Sequence, residues 1–459
     1  MRIFEILLVL SNLLVLIFGR IPRLKSSQRW MALLAFGVML LQILFEQPRW
    51  QMIPLYGLTL VLLVVNLKAG RQVRAGSIVG VVALALFTLP VILFPVPVLP
   101  ALTGPYPVGT LTFEWVDENR PETLAANPAG PRRLMVQVWY PAAVAAGAQP
   151  GLYMNELEIG GAAVARKFGF PPFMLGHLGL ARTHAYPAAP LLAGSERYPV
   201  LVFSHGWQGF RMQNTYQVEE LASHGYVVFA PDHTYGALVT TFPDGSSTLN
   251  RPELLPTGVS DTEYAQAARL IGQAWTDDLR FVLDQAEKLN SGQLPAIFAG
   301  RLDLAHTGVF GHSTGGGAAV EVCYLDSRCK AGLAMDAWLV PYSRDVSRDG
   351  LKVPFFFMQS EKWPNGPNAS LLPALYDEMK APSWRLTIAG ARHYDFSDIS
   401  LLTPLAPLIG IKEPIDSMHA LKMIDAYTIA FFDAALLGKP SALLETPSPA
   451  YAEVRFEQK

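Results

Sequence analysis

The sequence predicts an α/β fold, a mostly parallel sheet with helices on both faces, preceded by four transmembrane helices. Three observations carry that prediction. Four apolar stretches follow one another through the first hundred residues; beyond about Thr103, short β-rich runs alternate with helical patterns; and one such run feeds directly into a Gly-x-Ser-x-Gly turn. Strands alternating with helices imply βαβ units and a parallel sheet covered on both sides.

The apolar stretches are Ile3–Phe18, Trp30–Phe45, Met52–Leu67 and Ile78–Leu99, with Glu5, Asn12, Gln42 and Asn66 as strongly polar intruders. Each is close to the ~20 residues that cross a bilayer core. One stretch alone would read as well as a signal peptide or a buried helix. Four in series, with no small-x-small cleavage site after the first, read as spans. Pro95, Pro97 and Pro100 close the last one, because proline lacks the amide a helix needs. Residues 1–99 carry nine basic and two acidic side chains, against 27 and 36 in the remainder. The first link holds Arg20, Arg23, Lys25 and Arg29 and the third Lys68, Arg71 and Arg74, whereas the second has Arg49 alone. Links one and three therefore belong in the cytoplasm, which places the large C-terminal region outside it. The expectation is a multi-pass cell-membrane protein whose first partner is the lipid bilayer. The acidic remainder shows no basic stripe, which argues against nucleic acid as a partner.

Along the soluble part, strands are predicted at Leu134–Tyr140, Pro199–Ser204, Tyr226–Pro231, Thr307–Gly311, Gly332–Asp336, Val353–Gln359 and Trp384–Ile388. Helices are predicted at Asn214–Ser223, Asp261–Leu289, Gly315–Tyr324, Leu371–Met379 and Ile415–Leu437. The organisation that follows is a transmembrane region over 1–99, an α/β domain over 100–440 and a tail over 441–459. Within the domain, 151–192 is rich in Gly, Phe, Met and Leu and reads as an inserted helical cap beside the site. Cys323 and Cys329 flank a turn-like Leu-Asp-Ser-Arg stretch. In an oxidising compartment they form a small-loop disulfide; the alternative is two reduced, buried thiols.

The chemistry centres on Gly311-His312-Ser313-Thr314-Gly315, which follows an apolar strand and precedes a small-residue helix. That context makes Ser313 a candidate nucleophile on a strand-to-helix elbow. Small neighbours let the backbone close in, and the helix directs its positive end at the serine. A serine hydroxyl needs a base to take its proton. His393, just after the last predicted strand, fits; His419 lies in a helical pattern that suits a solvated or packed histidine. For the acid, Glu361 after Val353–Gln359 is slightly favoured by position over Asp336 at the end of the preceding strand. Main-chain amides of Thr314 and Trp207, the latter in Ser204-His205-Gly206-Trp207-Gln208-Gly209, are the candidate oxyanion donors. His205 reads as a support of that loop rather than a proton carrier. This chemistry calls for no metal and no cofactor.

The blocks YPVLVFSHGWQG (198–209), LASHGYVVFAPDH (221–233) and GHSTGG with GLAMDAW (within 308–338) resemble the plasma-type platelet-activating factor acetylhydrolases, calcium-independent phospholipases of the α/β-hydrolase fold. Gly104–Gly109 and Thr183–Leu191 extend the resemblance upstream, so that it covers most of 103–400. It implies a triad of Ser313, Asp336 and His393, with Glu361 as a supporting position. It also implies oxyanion amides at Trp207 and Thr314, where the family commonly has Leu and Phe. GHSTGGG is similar to bacterial lipases and polyester hydrolases as well. The expected activity is hydrolysis of a lipid or short-acyl carboxylic ester through an acyl-enzyme. Acyl transfer or lipase and polyester hydrolysis on the same triad are the alternatives within chemistry, and a membrane-tethered binding module the alternative outside it.

Overall fold

The computed structural model describes the chain apart from residues 19–20, 22–26, 69–75, 128–129, 155–156, 168, 195, 295–296, 364–367, 409 and 414. Arg20, Arg23, Lys25, Arg71 and Arg74, which carry much of the expected orientation, lie outside the described residues. The chain forms two compact units: 1–98 with 164–181 and 402–405, and 99–163 with 182–401 and 406–459.

The first unit is built on helices α1 (Ile3–Phe18), α2 (Gln28–Glu46), α3 (Ile53–Lys68) and α4 (Gly76–Leu93). Of the four expected spans, Gln28–Glu46 and Trp50–Lys68 are long and apolar enough to cross a membrane, whereas Ile3–Phe18 and Ile78–Leu93 are apolar but shorter. Two of the polar intruders find partners across the bundle, which offsets the cost of burying them among apolar side chains. Asn12 Nδ2 donates to Thr59 Oγ1 at 2.8 Å, and buried Arg49 donates twice to buried Glu5, at 2.7 and 2.9 Å. Large apolar side chains such as Leu44, Phe45, Ile53 and Val79 point outward. The unit also takes in chain from far downstream. Trp50 Nε1 donates to the Met174 carbonyl at 3.0 Å, Gln51 meets His177 at 3.0 Å, and Thr403 Oγ1 donates to the Leu93 carbonyl at 2.6 Å. The helical unit is thus larger than residues 1–99, and the expected cap is divided, its middle packing with the apolar helices. That cap segment contains α5 (Leu157–Lys167) and a 3-10 stretch, Pro172–Leu180.

In the second unit, ten strands among the described residues form one sheet. They are β1 (Val108–Pro121), β2 (Pro131–Pro141), β3 (Ala185–Pro187), β4 (Tyr198–Ser204), β5 (Val227–Pro231), β8 (Leu302–His312), β9 (Ala331–Met335), β10 (Phe355–Ser360), β11 (Ser383–Ile388) and β12 (Val454–Gln458), while β6 (Val239–Thr241) and β7 (Ser247–Leu249) form a separate hairpin. The order is β12-β11-β10-β9-β8-β4-β5-β2-β1-β3, and neighbours from β5 through β11 run parallel. Those strands are apolar on both faces because helices cover both. The covering helices are α6 (Thr215–Ser223), α7 (Asp261–Asn290), α8 (Thr314–Leu325), α9 (Arg344–Asp349), α10 (Asn368–Asp377) and α11 (Ser417–Leu437). A capping box between Ser260 and Glu263 starts α7, whose buried face carries Trp275 and Asp278. The 441–459 segment is not a tail throughout. Val454–Gln458 pairs antiparallel with β11, its apolar Val454 and Phe456 alternating with Arg455 and Glu457. Cys323 and Cys329 are joined in a disulfide, with Cα atoms 5.0 Å apart.

Candidate active site

Parallel strands deliver their C-terminal ends to one edge of a sheet, and ligand sites of open α/β sheets form there. β8 ends at His312, α8 starts at Thr314, and Ser313 between them has φ 57° and ψ −119°. A left-handed, non-glycine residue carries roughly 1–3 kcal/mol of strain, held only where the surroundings dictate it. Here three main-chain bonds dictate it: Ser313 N–H to the Met335 carbonyl (2.9 Å), and Trp338 and Gly317 N–H to the Ser313 carbonyl (2.9 and 3.1 Å). The flanking glycines are obligatory. A Cβ on Gly311 would sit 2.4 Å from the Gly315 carbonyl oxygen, and one on Gly315 2.1 Å from that of Ser204.

Asp336 follows β9, is fully buried and has φ 45°. Its Oδ2 receives His393 Nδ1–H at 3.1 Å and the Ser360 hydroxyl at 2.7 Å; its Oδ1 receives the Ser360 amide at 2.7 Å. Burial pushes the carboxyl up to about 7, against the opposing pull of the two Ser360 hydrogen bonds. With Nδ1 bound to a carboxylate, His393 keeps its lone pair on Nε2, the tautomer a general base needs. The imidazole is stacked on Trp363, with centroids 4.1 Å apart and planes 17° from parallel.

Glu361, the positional favourite for the acid, is turned elsewhere. It accepts the Gly390 amide at 3.0 Å and pairs with Arg455, so it braces the loop that leads to His393. His419 lies on α11, 3.3 Å from Glu453.

The Ser204–Gly209 loop runs beside the elbow: a Cβ on Gly206 would lie 3.2 Å from both Ser313 Cβ and His312 Nδ1. Gly209 N–H closes a tight turn on the Gly206 carbonyl at 2.7 Å. Among the described residues, the main-chain N–H groups of Trp207 and Thr314 donate to no protein acceptor. His205 supports the loop, donating from Nδ1 to the Gly206 carbonyl at 2.8 Å.

Gln213 and His312 went unnoticed in the sequence. Gln213 accepts the Gly206 amide (2.9 Å) and donates to His312 Nδ1 (2.9 Å), while His312 Nε2 donates to the His393 carbonyl (2.9 Å). Burial, with His393 nearby, lowers His312 to about 3, so the bridge is a neutral imidazole. Its one sequence signal was its place as the residue before the serine.

The model for platelet-activating factor acetylhydrolase, isoform II, matches residues 92–439. Among curated proteins, the chain is 28% identical over 263 residues to a platelet-activating factor acetylhydrolase of Cavia porcellus, covering 54% of this chain and 59% of that one. It is 27% identical over 296 residues to that of Canis lupus familiaris, covering 58% and 64%. The chain therefore spans about three fifths of the length of these relatives. Among solved structures, a ferulic acid esterase from Streptomyces cinnamoneus superposes with a TM-score of 0.64 at 27% identity, covering 79% of this chain and 99% of that one.

Proposed function

Because the chain belongs to the platelet-activating factor acetylhydrolase, isoform II, family, we propose that it is a membrane-tethered serine hydrolase that cleaves carboxylic esters of lipid or short-acyl type. The observation that carries this reading is the hydrogen bond of 3.1 Å that orients His393 on buried Asp336, beside an elbow serine. In the first half-reaction His393 Nε2 takes the Ser313 proton as the oxygen attacks the ester carbonyl. The amides of Thr314 and Trp207 receive the oxyanion. The imidazolium then protonates the departing alcohol, and a water repeats the sequence on the acyl-enzyme, releasing the acid and restoring Ser313. Asp336 holds the imidazole's tautomer and balances its transient charge.

Four apolar helices hold the enzyme at a bilayer with the hydrolase outside the cytoplasm. The excess of basic residues in the first and third links supports that orientation, and so does a disulfide of the kind oxidising compartments preserve. A short or oxidised acyl chain on a phospholipid is the substrate class that fits the tether and the family.

The test uses the full chain in native membranes. A fluorophosphonate probe should label Ser313, and Ser313→Ala should lose both label and esterase activity. Full activity in that variant would remove the mechanism. A panel of esters varied in acyl length and head group then defines the substrate.

A further inference from the structure

A second Ser–His–Asp chain lies in the same unit. Ser204 Oγ is 2.9 Å from His233 Nε2, and His233 Nδ1 is 2.9 Å from Asp278 Oδ2. All three residues are fully buried, so this set has the donor order of a hydrolytic triad without access to a substrate. Asp278 is anchored by Arg132, which donates to it at 2.9 and 2.6 Å, and by Arg120 at 2.6 Å. Burial alone would raise this carboxyl, but the two guanidinium groups hold it far below the usual range. A lasting carboxylate fixes the proton of His233 on Nδ1, leaving Nε2 to accept the Ser204 hydroxyl. Trp275 stacks on the same ring, with centroids 4.0 Å apart and planes 11° from parallel, so the imidazole is held by a ring contact as well as by hydrogen bonds at both nitrogens.

From this clamped histidine two ties run to the stem of the oxyanion loop. The side chain holds Ser204, the last residue of β4. The main-chain N–H of His233 donates to His205 Nε2 at 3.1 Å, which forces the His205 proton onto Nδ1, where it holds the Gly206 carbonyl at 2.8 Å. Gly206 immediately precedes Trp207. Resting on the serine-hydrolase reading above, we infer that Asp278 and His233 are positioning residues for the oxyanion hole, aiming the Trp207 amide through Ser204, His205 and Gly206. Interactions of this kind count in the transition state more than in substrate binding, because the donor's aim matters only once charge develops on the carbonyl oxygen.

The experiment compares Ser204→Ala, His233→Asn and the double variant in the full chain, each melted to check its fold, with kcat expressed per fluorophosphonate-titrated site. Loss of an entire oxyanion donor lowers kcat by about 10²–10³-fold, so a misaimed one should lower it by about tenfold while KM stays within about twofold. Both single changes delete the same hydrogen bond, so the double variant should be no slower than the slower single one. A merely structural role would lower the number of titratable sites and leave kcat per site intact. Wild-type kcat per site in Ser204→Ala, or a change confined to KM, overturns the inference. A wild-type chain that takes no label would overturn the serine reading instead. Labelling that persists in Ser204→Ala confirms that Ser204 is scaffold and not a second nucleophile.

Discussion

Replacing Asp336 by Asn is the perturbation for which hydrogen-bond geometry dictates the consequence most sharply. The Ser360 amide, 2.7 Å from Oδ1, can only donate, so the new side chain must place its carbonyl oxygen there. Its NH2 group then occupies the Oδ2 position, facing the Ser360 hydroxyl and His393 Nδ1. A hydroxyl can turn to accept. The imidazole can accept only by moving its proton to Nε2, and that tautomer cannot take a proton from Ser313. Loss of the correct tautomer lowers kcat by about 10⁴-fold in a serine triad, equivalent to about 5.4 kcal/mol of barrier at ~1.36 kcal/mol per decade. Glu361→Gln is the comparator, because its amide oxygen can still accept the Gly390 N–H; kcat there should stay within about threefold of wild type. The assay is steady-state hydrolysis of a short-chain ester by the full chain, per mole of folded protein. An Asp336→Asn enzyme within tenfold of wild type, or a Glu361→Gln enzyme slower than it, would refute the assignment of the acid.

Other outcomes follow from the same residues. The proposed triad works with ionised Asp336 and neutral His393, and burial lifts Asp336 to about 7, so kcat/KM should fall as pH drops through neutrality. An acid limb centred below pH 5 would contradict this. The raised folded-state carboxyl binds a proton that the unfolded chain releases near the ordinary 3.8 of an aspartate, so its contribution to stability is present at low pH and lost as pH rises through about 7. The melting temperature of Asp336→Asn relative to wild type should therefore climb between pH 4 and pH 8; a flat difference would speak against it. The disulfide closes a loop with a sequence separation of 6, for which chain entropy gives about 2 kcal/mol. Cys323→Ser with Cys329→Ser should lose about that stability in urea unfolding and keep its kcat, and an unchanged midpoint would count against the estimate.

How far the site could be read in advance depended on whether a residue's role is local. Ser313 is visible because a strand, a turn and a small-residue helix adjoin in sequence, and His393 because it follows a strand. Two carboxylates, Asp336 and Glu361, each follow a strand, so position alone cannot say which meets the imidazole. The family resemblance selected Asp336, and the packing of Ser360 against it supplies the physical reason. The Gln213–His312 and His233–Asp278 pairs join residues 99 and 45 apart, and each of the four sits among other polar residues, where nothing in the sequence marks which of them will meet. In the fold, the parallel strands were legible as continuous apolar runs. β1 was missed because it mixes polar residues through its length, and β12 because five residues of alternation look like a tail.

The make-up of the helical unit has a consequence for biogenesis. Hydrogen bonds that complete it reach 124 residues along the chain, from Trp50 to Met174, and 310 residues, from Leu93 to Thr403. A ribosome that has released the four apolar helices has not yet made either segment. Completion of the bundle must therefore wait until translation has passed through most of the hydrolase sequence, and if the helices insert into a bilayer as proposed, insertion comes first. Cutting the chain after residue 98 does not yield a finished helical unit, and grafting those helices onto another enzyme would carry over a bundle that lacks two of its parts.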